Sequence, residues 1–146
     1  MRNLKKLCNY CLAGYRGKTG LTKSPGLISL GGEFFPHHDA FAGIICEQAI
    51  AALHANILFM SASAISNCVI YHQSQEFVKV KRAMLASASK RILLIDHSKL
   101  GKVALHRLAD LREFDLIIVD AGVDEAQLNE LYETHIPVQV APYNQG

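Results

Sequence analysis

Arg91-Ile-Leu-Leu-Ile-Asp-His-Ser-Lys-Leu-Gly-Lys102 is a stretch that changes abruptly from apolar to polar residues. Its four consecutive aliphatic side chains are typical of a parallel strand that is covered on both faces. Ligands of open parallel sheets bind in the crevice beyond the carboxyl ends of the strands. Asp96, Ser98 and Lys99 occupy that position, so they are candidates for binding a small polar molecule, in particular an anion. The alternative is a simple turn on Asp96 and Ser98 beside a solvated Lys99.

Strand-like and helix-like segments alternate on both sides of this stretch. Apolar runs predict further strands at residues 27–30, 56–60, 68–71, 115–120 and 136–140. The last contains Pro137, which is tolerated in an edge strand. Apolar residues at helical spacing predict helices at 42–54, 76–90 and 124–134, whereas 33–39 reads as loop and 103–113 as an irregular connection. This alternation predicts a three-layer α/β fold with an open, mostly parallel sheet.

Composition indicates one globular domain. The chain has 146 residues, of which 50% are hydrophobic and 19% charged, enough for a substantial core and unlike a disordered chain. No apolar run approaches the ~18–20 residues that span a bilayer, and the N-terminus has no secretory apolar region. We therefore expect a cytoplasmic protein without membrane contact. In that compartment Cys8, Cys11, Cys46 and Cys68 are expected to be free thiols.

Residues 1–26 form a basic segment that we leave unassigned, so the domain is taken as residues 27–146. Residues 1–25 hold six of the 15 Lys and Arg side chains and no acid. Such an arm can contact nucleic acid, or it can be a solvated tail. Cys8 and Cys11 have the spacing of half a zinc site but lack a second pair. Gly17-Lys-Thr resembles the end of a P-loop, but Leu12 stands where that motif needs glycine.

Small and charged residues near other predicted strands add to the candidate site. Gly31 and Gly32 follow the first strand, where paired glycines permit a sharp turn or a close approach to a ligand. Ser61 and Ser63 follow the strand at 56–60, where they offer hydroxyls and leave room, although a tightly packed turn would look the same. His37, His38 and Asp39 could ligate a metal, but a surface loop is favoured, and we predict no metal or cofactor.

The predicted helices are amphipathic. In the helix at 42–54, one face carries Ile45, Ala49, Ala52 and Leu53. In the helix at 76–90, the apolar stripe consists of Phe77, Val80, Met84 and Ala88. Lys81 lies within that stripe, where its ammonium must extend to the surface or reach an anion. The second possibility would place Lys81 and Lys99 in one anion site.

Taken together, these motifs resemble the C-terminal sensor domain of DeoR-type bacterial transcriptional regulators. The matching features occur in the family's order over about residues 27–141. They are Ile28-Ser-Leu-Gly-Gly32, Phe41-Ala-Gly43, Val80-Lys-Arg-Ala-Met84, Ile92-Leu-Leu-Ile-Asp-His-Ser-Lys99 and the strand Asp115 to Asp120. The double glycine is weak alone, whereas the Lys-Arg-Ala-Met helix followed by strand-Asp-x-Ser-Lys is specific.

The resemblance implies a Rossmann-like fold shared with ribose-5-phosphate isomerase, glucosamine-6-phosphate deaminase and CoA-transferases. It also implies a non-catalytic domain that binds a phosphorylated sugar or related metabolite, and assembly as a homo-oligomer. The implied ligand-binding residues are Gly31, Gly32, Ser61, Ser63, Lys81, Asp96, Ser98 and Lys99. Lys81 and Lys99 would balance the charge of the phosphate. Asp96 would accept a hydrogen bond from a sugar hydroxyl or orient Lys99.

The sequence also departs from the family pattern. The family binds DNA through a helix-turn-helix, which has no counterpart in residues 1–26. The opening strand of the family's sensor domain, with its Asp-Gly-Thr-Thr-like loop, is also missing from this sequence. Ser61 and Ala64 replace family glycines. One alternative function is an isomerase or deaminase of the same fold, but Ser61-Ala-Ser-Ala64 lacks the carboxylate that proton transfer needs. Another is a degenerate oligomerisation domain without a ligand.

Overall fold

The computed structural model describes residues 29–142, so the basic segment and the start of the predicted strand at 27–30 lie outside it. In chain order the elements are β1 (Glu33–Phe35), β2 (Ala40–Ala42), α1 (Ile44–Ala51), β3 (Ala55–Met60), β4 (Ala64–Ser66), β5 (Val69–His72), α2 (Gln75–Ser87), β6 (Ala88–Ile95), β7 (His106–Asp110), β8 (Leu116–Asp120), α3 (Glu125–Tyr132) and β9 (Val138–Ala141). Single 3₁₀ turns cover His97–Lys99 and Leu111–Glu113.

The central sheet is parallel throughout, in the order β3-β6-β8-β9. The apolar run at residues 92–95 forms the second half of β6, an interior strand in which Leu93 is fully buried. The predicted α/β, Rossmann-like fold with a mostly parallel sheet is therefore confirmed. The last strand lies at an edge of this sheet, as predicted, but it begins at Val138, so Pro137 precedes the strand and does not lie within it. Parallel pairing places the carboxyl ends of these strands along one edge.

The main core lies on one face of this sheet. Alternate positions of the strands place six buried side chains there: Leu58, Met60, Leu93, Ile95, Ile117 and Val119. They pack with buried residues of two helices, namely Val78, Leu85 and Leu131. On the other face of β3, Ile57 and Phe59 remain about half exposed. No helix among residues 29–142 is long and apolar enough to cross a bilayer.

Helix α2 connects the sheet to a second, smaller core. Its predicted stripe buries Phe77 and Val80 against three residues of β2 and α1, which are Ala42, Cys46 and Ile50. The helix ends at Ser87, three residues before the predicted end. Ala88 is already extended and pairs with Ala55 of β3, so the sheet takes residues that periodicity assigned to the helix.

Helix α1 is shorter than predicted and presents a different face. Cys46 and Ile50 are its buried residues, whereas Ile45, which the predicted face would have placed inward, is 62% exposed. Cys46 and Cys68 are free thiols, as expected, while Cys8 and Cys11 lie outside the described residues.

Two segments that were predicted as irregular form strands. Residues 33–39 contain β1 and the turn of an antiparallel hairpin with β2, in which the rings of Phe34 and Phe41 lie 5.3 Å apart. Residues 103–113 contain β7, which joins β4 and β5 in a three-stranded sheet. These predictions were wrong because such short strands are defined by their pairing partners, which local periodicity does not reveal.

Candidate functional site

A small cavity lies beside the carboxyl end of β3. Its volume is about 180 Å³, and its wall includes Ser61, Ser63 and Lys81 from the set predicted to bind a ligand. Apolar side chains form much of the remaining wall, namely Ala40, Phe41, Phe59, Met60, Ala62, Phe77, Val80 and Met84. The structure thus brings three of the eight predicted residues to one cavity.

The cavity carries a positive charge from Lys81. This side chain leaves the apolar stripe of α2 and donates a hydrogen bond of 2.7 Å from Nζ to the carbonyl oxygen of Ser61. The contact joins the helix to the loop after β3 and fixes the ammonium at the cavity wall. Lys79, on the same helix, is exposed to solvent.

Two histidines that were not among the predicted ligand-binding residues also line the cavity, His38 and His72. The pKa of His72 is lowered to about 4, mainly by burial and secondly by the positive charge of Lys81. Its Nδ1 lies 3.1 Å from the backbone nitrogen and 3.2 Å from the carbonyl oxygen of Ser74, so it accepts from that N–H or donates to that carbonyl according to the tautomer. His72 is therefore a neutral polar group at neutral pH, held at the start of α2.

The predicted glycine pair does not line this cavity. Gly31 and Gly32 have φ of +71° and +104°, which favours glycine at both positions. A Cβ on Gly32 would lie 2.5 Å from the carbonyl oxygen of Ala42 and 3.1 Å from Cβ of Cys46. The absence of a side chain at Gly32 thus lets the hairpin pack against α1.

Asp96, Ser98 and Lys99 form a 3₁₀ turn directly after β6, outside the cavity lining. Asp96 Oδ1 accepts a hydrogen bond of 2.9 Å from the Ser98 backbone N–H. Hydrogen bonds from the side chain and then the backbone of Ser98 hold the pKa of Asp96 below its usual value. The geometry is that of the simple turn considered from sequence. Because β3 and β6 are parallel neighbours, the turn and the cavity follow adjacent strand ends.

His97 in the same turn is held by the carboxylate at the end of β8. Its Nδ1 lies 2.9 Å from Asp120 Oδ2, and its backbone N–H donates to Asp120 Oδ1 at 2.7 Å. The hydrogen bond that the His97 ring donates to the Asp120 carboxylate raises the pKa of His97. A Cβ on Gly122 would collide with the imidazole ring, so this glycine leaves the space that the ring occupies.

One group of described residues has the spacing to hold a metal ion. Asp96, His97 and Asp120 offer ligand atoms within 4.8 Å of one another. The atoms of His97 and Asp120 are hydrogen-bonded to each other, so a cation would have to replace those bonds.

A larger cleft of about 640 Å³ lies along a different face of α2. Arg82 and Arg91 line it, but their guanidinium groups donate to backbone carbonyls, including those of Leu108 and Leu85 at 2.8 and 2.9 Å. Glu113, also in the wall, accepts from the Asp110 backbone N–H at 2.9 Å. The two arginines link α2 to its neighbours, whereas Glu113 caps the 3₁₀ turn Leu111–Glu113. None of these groups was among the predicted site residues.

The fold defines an α/β domain of the Rossmann-like class, with polar loops after its parallel strands. A sequence model of the DeoR C terminal sensor domain matches residues 21–121, which is well over half of the chain. The chain therefore belongs to the DeoR family, as the resemblance of its motifs indicated.

Curated relatives support this assignment. The chain is 30% identical over 114 residues to the putative aga operon transcriptional repressor of Escherichia coli O157:H7, covering 77% of this chain and 42% of the relative. It is 32% identical over 109 residues to the L-fucose operon activator of Haemophilus influenzae, covering 74% and 43%. The deoxyribose operon repressor of Escherichia coli K12 is 33% identical over 95 residues, covering 62% and 36%. The chain spans less than half the length of these relatives.

Proposed function

We propose that this chain is the effector-sensing part of a DeoR-type transcriptional repressor in the cytoplasm, and that it binds a phosphorylated sugar or related metabolite without catalysis. The observation that carries the proposal is the Lys81 ammonium, fixed at the wall of a small cavity beside the end of β3. An ammonium in a partly apolar cavity binds an anion more strongly than it would in open water.

The cavity supplies groups for a sugar phosphate. Lys81 would contact the phosphate, and the Ser61 and Ser63 hydroxyls would bond to phosphate or sugar oxygens. Gly31, Gly32, Asp96, Ser98 and Lys99 remain part of the proposed site, through ligand contacts beyond the cavity. Two of the relatives are named for sugar operons, L-fucose and deoxyribose, which favours a sugar-derived effector. The effector would modulate a DNA-binding domain outside residues 21–121.

The composition of the cavity wall disfavours the isomerase or deaminase alternative. Among the described residues no aspartate or glutamate lines the cavity, so a carboxylate base is missing there. The neutral imidazole of His72 could accept a proton, but a pKa of about 4 makes it a weak base near neutral pH.

Thermal unfolding in the presence of a panel of phosphorylated sugars tests the proposal. A ligand at about 100 times its Kd should stabilise the wild-type protein by about 2.7 kcal/mol. Lys81→Ala should weaken binding by roughly 10- to 100-fold, because a charge-assisted hydrogen bond contributes about 1.5–3 kcal/mol. Lys79→Ala is the matched control, since it removes the same charge from an exposed position of the same helix.

Two outcomes would contradict this assignment. If Lys81→Ala and Lys79→Ala retain the wild-type response, the effector does not bind at the cavity. If NMR of the mixture shows conversion of a sugar phosphate into another product, the domain is an enzyme.

A further inference from the structure

Three arginines from three different elements line the larger cleft beside α2. Arg82 lies on α2, Arg91 on β6 and Arg107 on β7, and we call the cleft of about 640 Å³ that they line the arginine cleft. Sites for small molecules usually have volumes of roughly 300–1,000 Å³. The arginine cleft is therefore large enough to be a ligand site in its own right.

Backbone carbonyls hold two of the guanidinium groups in place. Arg82 Nε donates at 2.8 Å to the carbonyl oxygen of Leu108, and its Nη2 donates at 3.2 Å to that of Arg107. The pairing of β7 with β5 skips Leu108, so this carbonyl group can accept from a side chain. Arg91 Nε donates at 2.9 Å to the carbonyl oxygen of Leu85 in the last turn of α2. A ligand would therefore not have to order these two side chains.

The positive charges at the arginine cleft are not balanced by ion pairs. Among residues 29–142, no carboxylate forms an ion pair with Arg82, Arg91 or Arg107. Each guanidinium group also has more N–H donors than its bonds to carbonyl oxygens use. Like charges around one cleft repel one another, and an anion between them would relieve this repulsion.

The carboxylates in the described part of the wall, Asp110 and Glu113, are engaged elsewhere. Asp110 accepts from the Arg112 guanidinium at 3.0 and 3.1 Å, and Glu113 Oε1 accepts from the Asp110 backbone N–H at 2.9 Å. Hydrogen bonds from Arg112 hold the pKa of Asp110 below its usual value. The charge of Arg107 adds to this effect, which places its guanidinium near the same wall. The cleft thus keeps a positive charge.

We propose that the arginine cleft is a second ligand site, which binds a compact anion with two negative charges, carried by a phosphate group or a dicarboxylate. Guanidinium groups form paired, charge-assisted hydrogen bonds with the oxygens of both kinds of anion. This site does not depend on the effector proposed for the cavity beside β3, since no residue lines both.

NMR of the arginine Nε–H signals during a titration with inorganic phosphate tests the site, at a constant ionic strength of about 0.1 M. The signals of Arg82, Arg91 and Arg107 should shift together and saturate with one Kd, on the order of 1 mM because the cleft is open to solvent. A parallel titration with succinate distinguishes the two sources of charge, since the probe that binds more tightly identifies a phosphate or a carboxylate ligand. The Ser61 and Ser63 amides report binding at the cavity separately.

Arg107→Gln is the informative variant, because the Arg107 side chain is exposed and the fold should tolerate the change. It should raise the Kd of phosphate about tenfold, whereas Arg107→Lys keeps the charge without the paired donors and should raise it less. Lys90→Gln is the matched control. Lys90 is exposed beside Arg91 but does not line the cleft, since neighbouring side chains of a strand point to opposite faces. This variant should bind like the wild type.

The proposal is overturned if neither probe gives saturable shifts at the three arginines up to about 30 mM. It is also overturned if Arg107→Gln binds phosphate as tightly as the wild type, or if Lys90→Gln weakens binding to the same extent as Arg107→Gln. Saturable shifts at the arginines support the second site whatever occurs at Ser61 and Ser63, and shifts at these serines alone contradict it.

Discussion

Acid should destabilise the protein through His72. The pKa of this side chain is about 4 in the folded protein, against 6.5 for an ordinary histidine. A lowered folded-state pKa means that the unfolded chain binds more protons between these values. The stabilising contribution is therefore complete above about pH 6.5 and is lost as the pH falls towards 4.

The magnitude follows from the two pKa values. At about pH 5 the difference between the folded and unfolded pKa values of His72 would lower the free energy of unfolding by roughly 2 kcal/mol if solvent did not screen the charge. His72 is partly exposed, so we expect about 1 kcal/mol. His72→Asn is a suitable reference variant, because its side-chain amide has both an acceptor for the Ser74 backbone N–H and a donor for the Ser74 carbonyl but does not titrate.

Urea unfolding of both proteins between about pH 7.5 and pH 5 measures this effect. The wild-type protein should lose about 1 kcal/mol more than His72→Asn over that range. NMR titration of the histidine ring provides a second measurement, since Lys81→Ala removes a positive charge and should raise the pKa of His72. If the stability of the two proteins depends on pH in the same way and the His72 pKa is that of an ordinary histidine, burial and Lys81 do not lower the pKa of His72.

Three further predictions concern stability. Leu93→Ala, at a fully buried position of β6, should lower the free energy of unfolding by about 2–5 kcal/mol in urea titrations. Gly122→Ala should cost about 1–3 kcal/mol and change the NMR signals of the His97 ring, because the added Cβ collides with it; an unchanged ring environment would contradict this packing. The pKa of His97 is raised in the folded protein, so protonated His97 stabilises the fold. This contribution is complete below the unfolded-state pKa and is lost as the pH rises through the folded-state pKa. The Asp120→Asn variant should have a lower His97 pKa than the wild type, as measured by NMR titration. An unchanged pKa would show that the hydrogen bond to Asp120 does not raise it.

The sequence predicted the elements that carry strong, continuous patterns. Strands β6 and β8 follow from uninterrupted aliphatic runs, and α2 from apolar residues repeated at spacings of three and four. The boundary between α2 and β6 was wrong because Ala88 fits either pattern locally, and only its pairing with Ala55 decides. The hairpin of β1 and β2 and strand β7 were missed for the same reason, since pairing across the chain defines them.

The candidate site was predictable only in part. Lys81 was found because a charge on an apolar stripe needs a special environment, and Ser61 because it directly follows a buried strand. Their contact joins residues 20 positions apart, so it depends on how α2 packs beside β3. His72 gave no signal, because its lowered pKa arises from burial and from the charge of Lys81, and both require the folded structure.

An amide NMR titration with the most stabilising sugar phosphate from the panel tests the central claim most directly. If the cavity beside β3 is the effector site, the largest shifts will occur at Ser61, Ser63 and Lys81. In Lys81→Ala the same shifts will need a roughly 10- to 100-fold higher ligand concentration. Shifts confined to the arginine-lined cleft around Arg82 and Arg91, with Ser61 and Ser63 unchanged, would contradict the claim.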